Sequence, residues 1–349
     1  DIWIVNTPPF YDVIPLLLAP CIAIEYGTPP SKFFSEAIGR NLDASVAYRF
    51  RYVFPHLRSC DRIHCISQSI QDWLPKSARP FSDVMYLGCD HYRRVGEADA
   101  RAFRQTLGVG DSEVLILWVG RVQVREDRQP YKGFPEFVTI VEKAMRLDHD
   151  LKFLVVGRGG DEEAEFLRSK QIISCLNLAD DKMGRAYAAA DIFLNTSRWE
   201  GFNLPLLEAQ FQGVPVLAYD HGPHPEVCRS GETGVLVDDI DSMVDQLLAL
   251  ANDRDKRTAF GRRATSFAAT FSWAKSCSAL ETAIKRAGSY APGLITVGFR
   301  RFFTGPGSIF FVALDIYRRY GLVIFLEGMC TSLRRRIINV LGSANKLGT

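Results

Sequence analysis

The hydrophobic and polar positions of this chain fall into two alternating patterns. Runs that are apolar at nearly every position occur at 114–119, 152–156, 172–176, 192–196, 214–219 and 233–237. Apolar residues on both faces are what a parallel strand covered by helices on two sides requires. Between these runs, apolar residues recur at helical spacing over 135–146, 181–190, 241–251 and 255–270. Strands alternating with helices predict right-handed βαβ crossovers and a doubly wound parallel sheet. This pattern fills a unit at 91–275. Upstream, 1–6, 21–26, 62–67 and 84–88 read as strands and 44–60 as a helix disturbed by Pro55, which makes a shorter α/β unit over 1–90. Downstream, 276–349 starts within a helix at 273–286 and continues as an apolar run broken by charge.

One junction in the pattern carries candidate chemistry. The apolar strand at 191–196 leads into Ser-Arg-Trp-Glu-Gly-Phe-Asn-Leu-Pro-Leu-Leu-Glu at 197–208. Asn203 is a suitable N-cap and Pro205 suits a first helical turn, so a helix is predicted from Leu204, ending at Gly213. Glu200 then lies on the loop at the carboxyl end of the strand and Glu208 about a turn into the helix. Both can face the crevice where open α/β sheets bind ligands, and the free amides at the helix start favour an anionic or oxygen-rich ligand.

Two cations flank the first strand of the same unit. Arg121 ends it and Lys132 opens the next helix, so they can converge on one diphosphate, the guanidinium as a fork of donors and the ammonium as a compact charge. Arg125 and Arg128, in the insertion between them, are rival candidates. Gly157-Arg158-Gly159-Gly160 lacks full dinucleotide-loop spacing and reads as a tight strand-to-helix turn near a nucleotide. Asp180-Asp181 reads as capping for a helix. His221, His224 and Glu226 form a rigid loop with Pro223 and Pro225, and Cys60, His64 and Cys65 lack zinc spacing, so no metal site is assigned.

Bulk numbers narrow the class. The chain has 349 residues, 47% hydrophobic and 23% charged, with a net charge of +2. That suits a globular α/β protein and gives no sign of a nucleic-acid partner. From Lys285 onward, however, ten Lys or Arg face two acids. Aromatic and aliphatic residues interleaved with arginine pairs fit a helix at an anionic membrane surface or one packed on the first unit. Eight scattered cysteines without a C-x-x-C pair favour the cytoplasm, with peripheral membrane contact through the tail. The chain starts without Met, directly in a strand-like run, as a fragment would.

The run from Asp191 to Val237 resembles the signature of the retaining GT-B glycosyltransferases with the E-x7-E motif, the family-4-like members of glycosyl transferases group 1. The resemblance is carried by Ala190-Asp191, Ser197, Glu200-Gly201-Phe202, Leu204-Pro205-Leu206-Leu207-Glu208-Ala209, Gly213-Val214-Pro215-Val216, Gly222, Glu226 and the segment 231–237. It implies two Rossmann-type doubly wound domains facing a cleft, and transfer of a sugar from a nucleotide-diphosphate donor to a hydroxyl acceptor, with retention and without a metal or other cofactor. Glu200, Arg121 and Lys132 would be catalytic. Glu208 would accept both ribose hydroxyls, and Gly201, Phe202, Asn203, Leu204, Gly157 and Arg158 would hold the donor. Glycan, glycolipid or polysaccharide assembly, with a glycan or lipid-linked acceptor, is the implied setting.

The chain departs from the family in three places. Only about 90 residues stand where a Rossmann-type domain of about 150 is expected, and the opening strand and its Gly-rich loop are absent, so the N-terminal domain is read as incomplete. Glu25 and Tyr26 replace the family's donor-facing His. Glu25 either binds a sugar hydroxyl or caps its own turn. Arg121 and Lys132 are eleven positions apart, wider than in the family. A non-catalytic partner subunit and a GT-B sugar phosphorylase are the alternative readings.

Overall fold

In the computed structural model the described residues are 2–6, 20–34, 39, 62–74, 76, 78–124 and 129–288. The helix expected over 44–60, Arg125 and Arg128, and the chain from 289 onward lie outside them. The first sheet contains β1 (Trp3–Asn6), β2 (Cys21–Glu25), β3 (Arg62–Cys65) and β4 (Ser82–Val84), paired in that order and parallel throughout. Helix α1 (Gln68–Trp73) follows β3, and α2 (Glu97–Thr106) leads into the second unit.

That unit runs β5 (Val114–Arg121), α3 (Phe134–Leu147), β6 (Leu151–Arg158), α4 (Asp161–Ser169), β7 (Ile173–Leu176), α5 (Asp180–Ala188), β8 (Ile192–Asn195), α6 (Leu204–Phe211), β9 (Val216–Tyr219), α7 (His224–Val227) and β10 (Gly234–Val237). Helices α8 (Ile240–Asn252), α9 (Arg254–Ala268) and α10 (Trp273–Gly288) complete the described chain. The second sheet is parallel, in the order β10-β9-β8-β5-β6-β7.

Strand alternation divides the core. Ile116 and Trp118 of β5 and Phe153 and Val155 of β6 face one layer, where α3 inserts Phe134, Phe137, Ile140, Val141 and Ala144 at helical spacing. The Phe137 ring lies 5.3 Å from Trp118 and 6.2 Å from Phe153. Leu115, Leu117, Leu154 and Val156 face the other layer, in one apolar cluster with Leu206 and Leu207 of α6 and with Ala23 and Ile63 of the first sheet. The two units thus share a core. Helix α10 crosses back, packing Ala283 on Ile22 of β2.

The architecture is the expected α/β one, with two parallel sheets, and local differences have physical causes. The strand read at 84–88 is instead Ser82–Val84. Met85, Leu87 and Cys89 are buried, as an alternating strand would bury them, but their segment is the crossing between units. The Met85 amide makes the last bond of the β3–β4 ladder, to the Cys65 carbonyl at 2.8 Å, whereas the Cys89 amide donates to the Phe271 carbonyl at 3.2 Å, outside any ladder. The loop read at 221–226 contains the short α7. Asp180 makes no side-chain cap: the N-cap is Ala179, and the Asp180 carboxylate accepts from the Tyr92 hydroxyl at 2.8 Å. Helices α1 and α2 were not anticipated, α2 because it buries no residue fully.

Truncating the ring at the centre of the α3 layer leaves a void walled by aromatic neighbours that cannot collapse. Phe137→Ala is expected to lower the unfolding free energy by about 3–5 kcal/mol in urea titrations. A loss under about 1 kcal/mol would show that the layer repacks.

Candidate active site

The strand order reverses between β5 and β8, and the crevice at the carboxyl ends of such strands is where open α/β sheets bind ligands. β5 ends at Arg121 and β6 at Arg158, which are register partners. Alternation along both strands puts the two side chains on the face of Leu117 and Val156, toward the first sheet. Both residues are exposed, and among the described residues no hydrogen bond or ion pair engages either guanidinium.

Lys132 reaches the crevice by a tight fold-back. The 3₁₀ turn Pro130–Lys132 ends at Gly133, whose φ is +70° and where a Cβ would stand 2.1 Å from the Thr196 carbonyl oxygen. Only glycine permits that approach. Thr196 Oγ1 donates to the Gly133 carbonyl at 2.8 Å and accepts from Trp118 Nε1 at 3.0 Å, and the Arg198 amide donates to the Tyr131 carbonyl at 2.6 Å. With the turn held against the loop after β8, Lys132 Nζ lies 2.8 and 2.9 Å from the two oxygens of Glu200. The ammonium has three donors, so this pair leaves one for a ligand.

The start of α6 is set by a buried chain of hydrogen bonds. His224 Nδ1 is 2.7 Å from the Tyr219 carbonyl, which can only accept, so Nδ1 carries the proton. The Leu206 amide, which can only donate, is 3.3 Å from Asn203 Oδ1, so the Asn203 amide group faces His224 Nε2, at 2.8 Å. The result is a neutral imidazole clamping Asn203 at φ +72°, a conformation that asparagine tolerates better than most residues. Among the described residues the amides of Gly201, Phe202, Asn203 and Leu204 have no partner, so they remain open to an oxygen-rich ligand.

The other anticipated residues are placed as follows. Glu208 is 8% exposed, with Oε2 accepting from the Tyr187 hydroxyl at 2.6 Å and Oε1 lying 3.1 Å from His91 Nε2. Glu25 is 2% exposed and Oε1 accepts from the Gly27 amide at 2.9 Å, which is the turn-capping arrangement. The Phe202 ring is buried, stacked on Tyr86 at 5.8 Å and against Phe271 at 6.0 Å, so its side chain is not available to a ligand. Gly201 packs where a Cβ would stand 2.1 Å from the Tyr26 carbonyl oxygen. A cavity of about 460 Å³ lies beside Gly157 and Arg158, lined also by Tyr92, Asn177, Asp180 and Met183.

Sequence reasoning missed four contributors. Ser67 caps α1 and donates to the Gly201 carbonyl at 2.7 Å. Glu226, read as part of the family signature and as a metal candidate, accepts from the amides of Gln68 at 2.7 Å and Ser69 at 2.8 Å, an anion at the α1 N-terminus. Tyr187 and His91 are the other two. A serine ahead of a helix was a readable cap signal. Tyr187 sits at helical spacing among apolar residues and looks like core.

His224 also sets a pH dependence. Burial, with the neighbouring His221, depresses its pKa from 6.5 to about 4. The unfolded chain then binds this proton more readily than the folded one, so stability is full above about pH 6.5 and falls as the pH drops toward 4. The loss from this group is on the order of 3 kcal/mol. In urea unfolding across that window His224→Gln is expected to lack this part of the slope. Equal slopes for the two proteins would remove His224 from the account.

Residues 113–253 match the family "Glycosyl transferases group 1". The D-inositol 3-phosphate glycosyltransferase of Nocardia farcinica is 32% identical over 213 residues, 57% of this chain and 46% of that protein. The N-acetyl-alpha-D-glucosaminyl L-malate synthase of Bacillus anthracis is 28% identical over 221 residues, 60% of this chain and 55% of that one. The chain spans about half the length of the curated relatives it matches. The crystal structure of Anabaena Alr3699/HepE in complex with UDP and glucose superposes with a TM-score of 0.65 at 18% identity, covering 81% of this chain and 77% of that one. The fold is that of the GT-B glycosyltransferases, and the segment 113–253 carries the match to glycosyl transferases group 1.

Proposed function

We propose that this chain transfers a sugar from a nucleotide-diphosphate donor to a hydroxyl acceptor with retention of anomeric configuration. The observation that carries the proposal is the Lys132–Glu200 pair at 2.8 Å beside the open amides at the start of α6. Breaking the bond to the anomeric carbon leaves new negative charge on the departing diphosphate. Positioned cations and helix amides stabilise such charge without reorganising at the moment of reaction. Lys132, with its remaining donor, and the unpaired Arg121 take that role here. Glu200, neutralised by Lys132, accepts from donor-sugar hydroxyls. Glu208 accepts from the ribose, which separates its work from that of the carboxylate pair of glycosidases.

The cavity beside Gly157 and Arg158 is the place for the base. UDP is the first nucleotide to test, because the Anabaena protein binds it. The acceptor is proposed to be a glycan or a lipid-linked molecule, with the basic tail drawn to an anionic membrane surface. Among the described residues no helix is long and apolar enough to cross a membrane.

Calorimetric titration with UDP, GDP and ADP is expected to show micromolar binding of one nucleotide. Lys132→Ala and Glu208→Ala should each weaken it tenfold or more, the loss of a charged hydrogen bond worth about 1.5–3 kcal/mol. Absence of binding to all three would favour the non-catalytic reading. Vesicle flotation tests the tail: the chain is expected to float with vesicles containing anionic lipid and not with neutral ones.

A further inference from the structure

His91 belongs to no motif. It lies on the connector between the two units, and its ring is held on both nitrogens. Trp273 Nε1 is 3.1 Å from Nδ1, and an indole N–H can only donate, so Nδ1 is the acceptor and the proton of the neutral ring is on Nε2. Glu208 Oε1 lies 3.1 Å from Nε2, within reach of that proton. Trp273 is itself fixed, its amide donating to Asp90 Oδ1 at 2.8 Å, and Tyr92 flanks the imidazole with ring centroids 4.2 Å apart. The hydrogen bond to Glu208 raises the His91 pKa above its ordinary value, the direction expected for a ring donating to a carboxylate.

An ionised carboxylate has about four acceptor positions, two on each oxygen. The Tyr187 hydroxyl takes one on Oε2 and His91 takes one on Oε1. One position on each oxygen is left, which is the number of acceptors that a vicinal diol requires. Without the two donors the carboxylate could rotate about its last bond and present a single oxygen.

We propose that His91 is a positioning residue for Glu208, turning its carboxylate so that both oxygens keep one lone pair for the two hydroxyls of a ribose. The inference rests on the donor-site reading above and adds the origin of selectivity for a ribose diol. It predicts that His91 matters only to ligands that carry the diol, which a merely structural role would not produce.

The test is calorimetric titration of the full chain with whichever of UDP, GDP and ADP binds, and with its 2′,3′-dideoxy counterpart. The proteins are the wild type, His91→Ala and His91→Gln. His91→Ala is expected to weaken the ribonucleotide about tenfold, the loss of one charged hydrogen bond, and the dideoxy form less than about twofold. His91→Gln, whose side-chain amide can still donate to Glu208, is expected to recover most of the affinity, and it serves as the folded comparison if the alanine variant is unstable. Equal weakening of both ligands, or no weakening of either in the two variants, overturns the inference alone. No nucleotide bound by the wild type overturns the donor-site reading together with it.

Discussion

The buried contact between Asn203 and His224 is the interaction on which the site depends. It joins two segments, the loop after β8 and the turn after β9, through one imidazole whose two nitrogens are both occupied. It holds Asn203 in the left-handed conformation that starts α6. From that start follow the direction of the helix, the open amides at its head and the positions of Glu200 before it and Glu208 within it. A buried polar pair of this kind is stable only when every member is satisfied, and here Tyr219 and Leu206 complete it.

A second constraint joins the units. The head of α1 meets the second unit through Ser67, which donates to Gly201, and through Glu226, which accepts from the first amides of the helix. Gly201 has room for no side chain against Tyr26. The same loop that presents Glu200 is therefore the surface on which the first sheet rests. Around it the rings of Tyr86, Phe202 and Phe271 and the Trp73–Trp199 edge contact at 5.3 Å close the interface. Position in one unit and chemistry in the other are coupled by packing.

The crevice also has a division of charge. Lys132 is matched by Glu200, whereas among the described residues Arg121 and Arg158 stand unmatched at neighbouring strand ends, and α6 presents its positive end to the same region. A site with uncompensated cations and free amides favours an oxygen-rich anion. Glu208 is engaged by Tyr187 and His91, and among the described residues by none of these cations.

The apolar runs determined the second sheet almost strand for strand, because a parallel strand buried on two faces has no other reading at this length. Asn203, Pro205 and Gly213 marked the ends of α6 for reasons local to the backbone. Where burial was not periodic the sequence was silent or misleading. The crossing at 85–89 has the alternation of a strand because both units cover it, yet beyond the Met85 amide it joins no ladder. What only the tertiary structure decided is partnership. That Lys132 folds back on Glu200, that His91 from the connector and Tyr187 from α5 meet on Glu208, and that Glu226 caps a helix of the other unit all depend on side chains far apart in sequence. Their types are common and their spacing carries no period, so nothing short of the folded chain could bring them together.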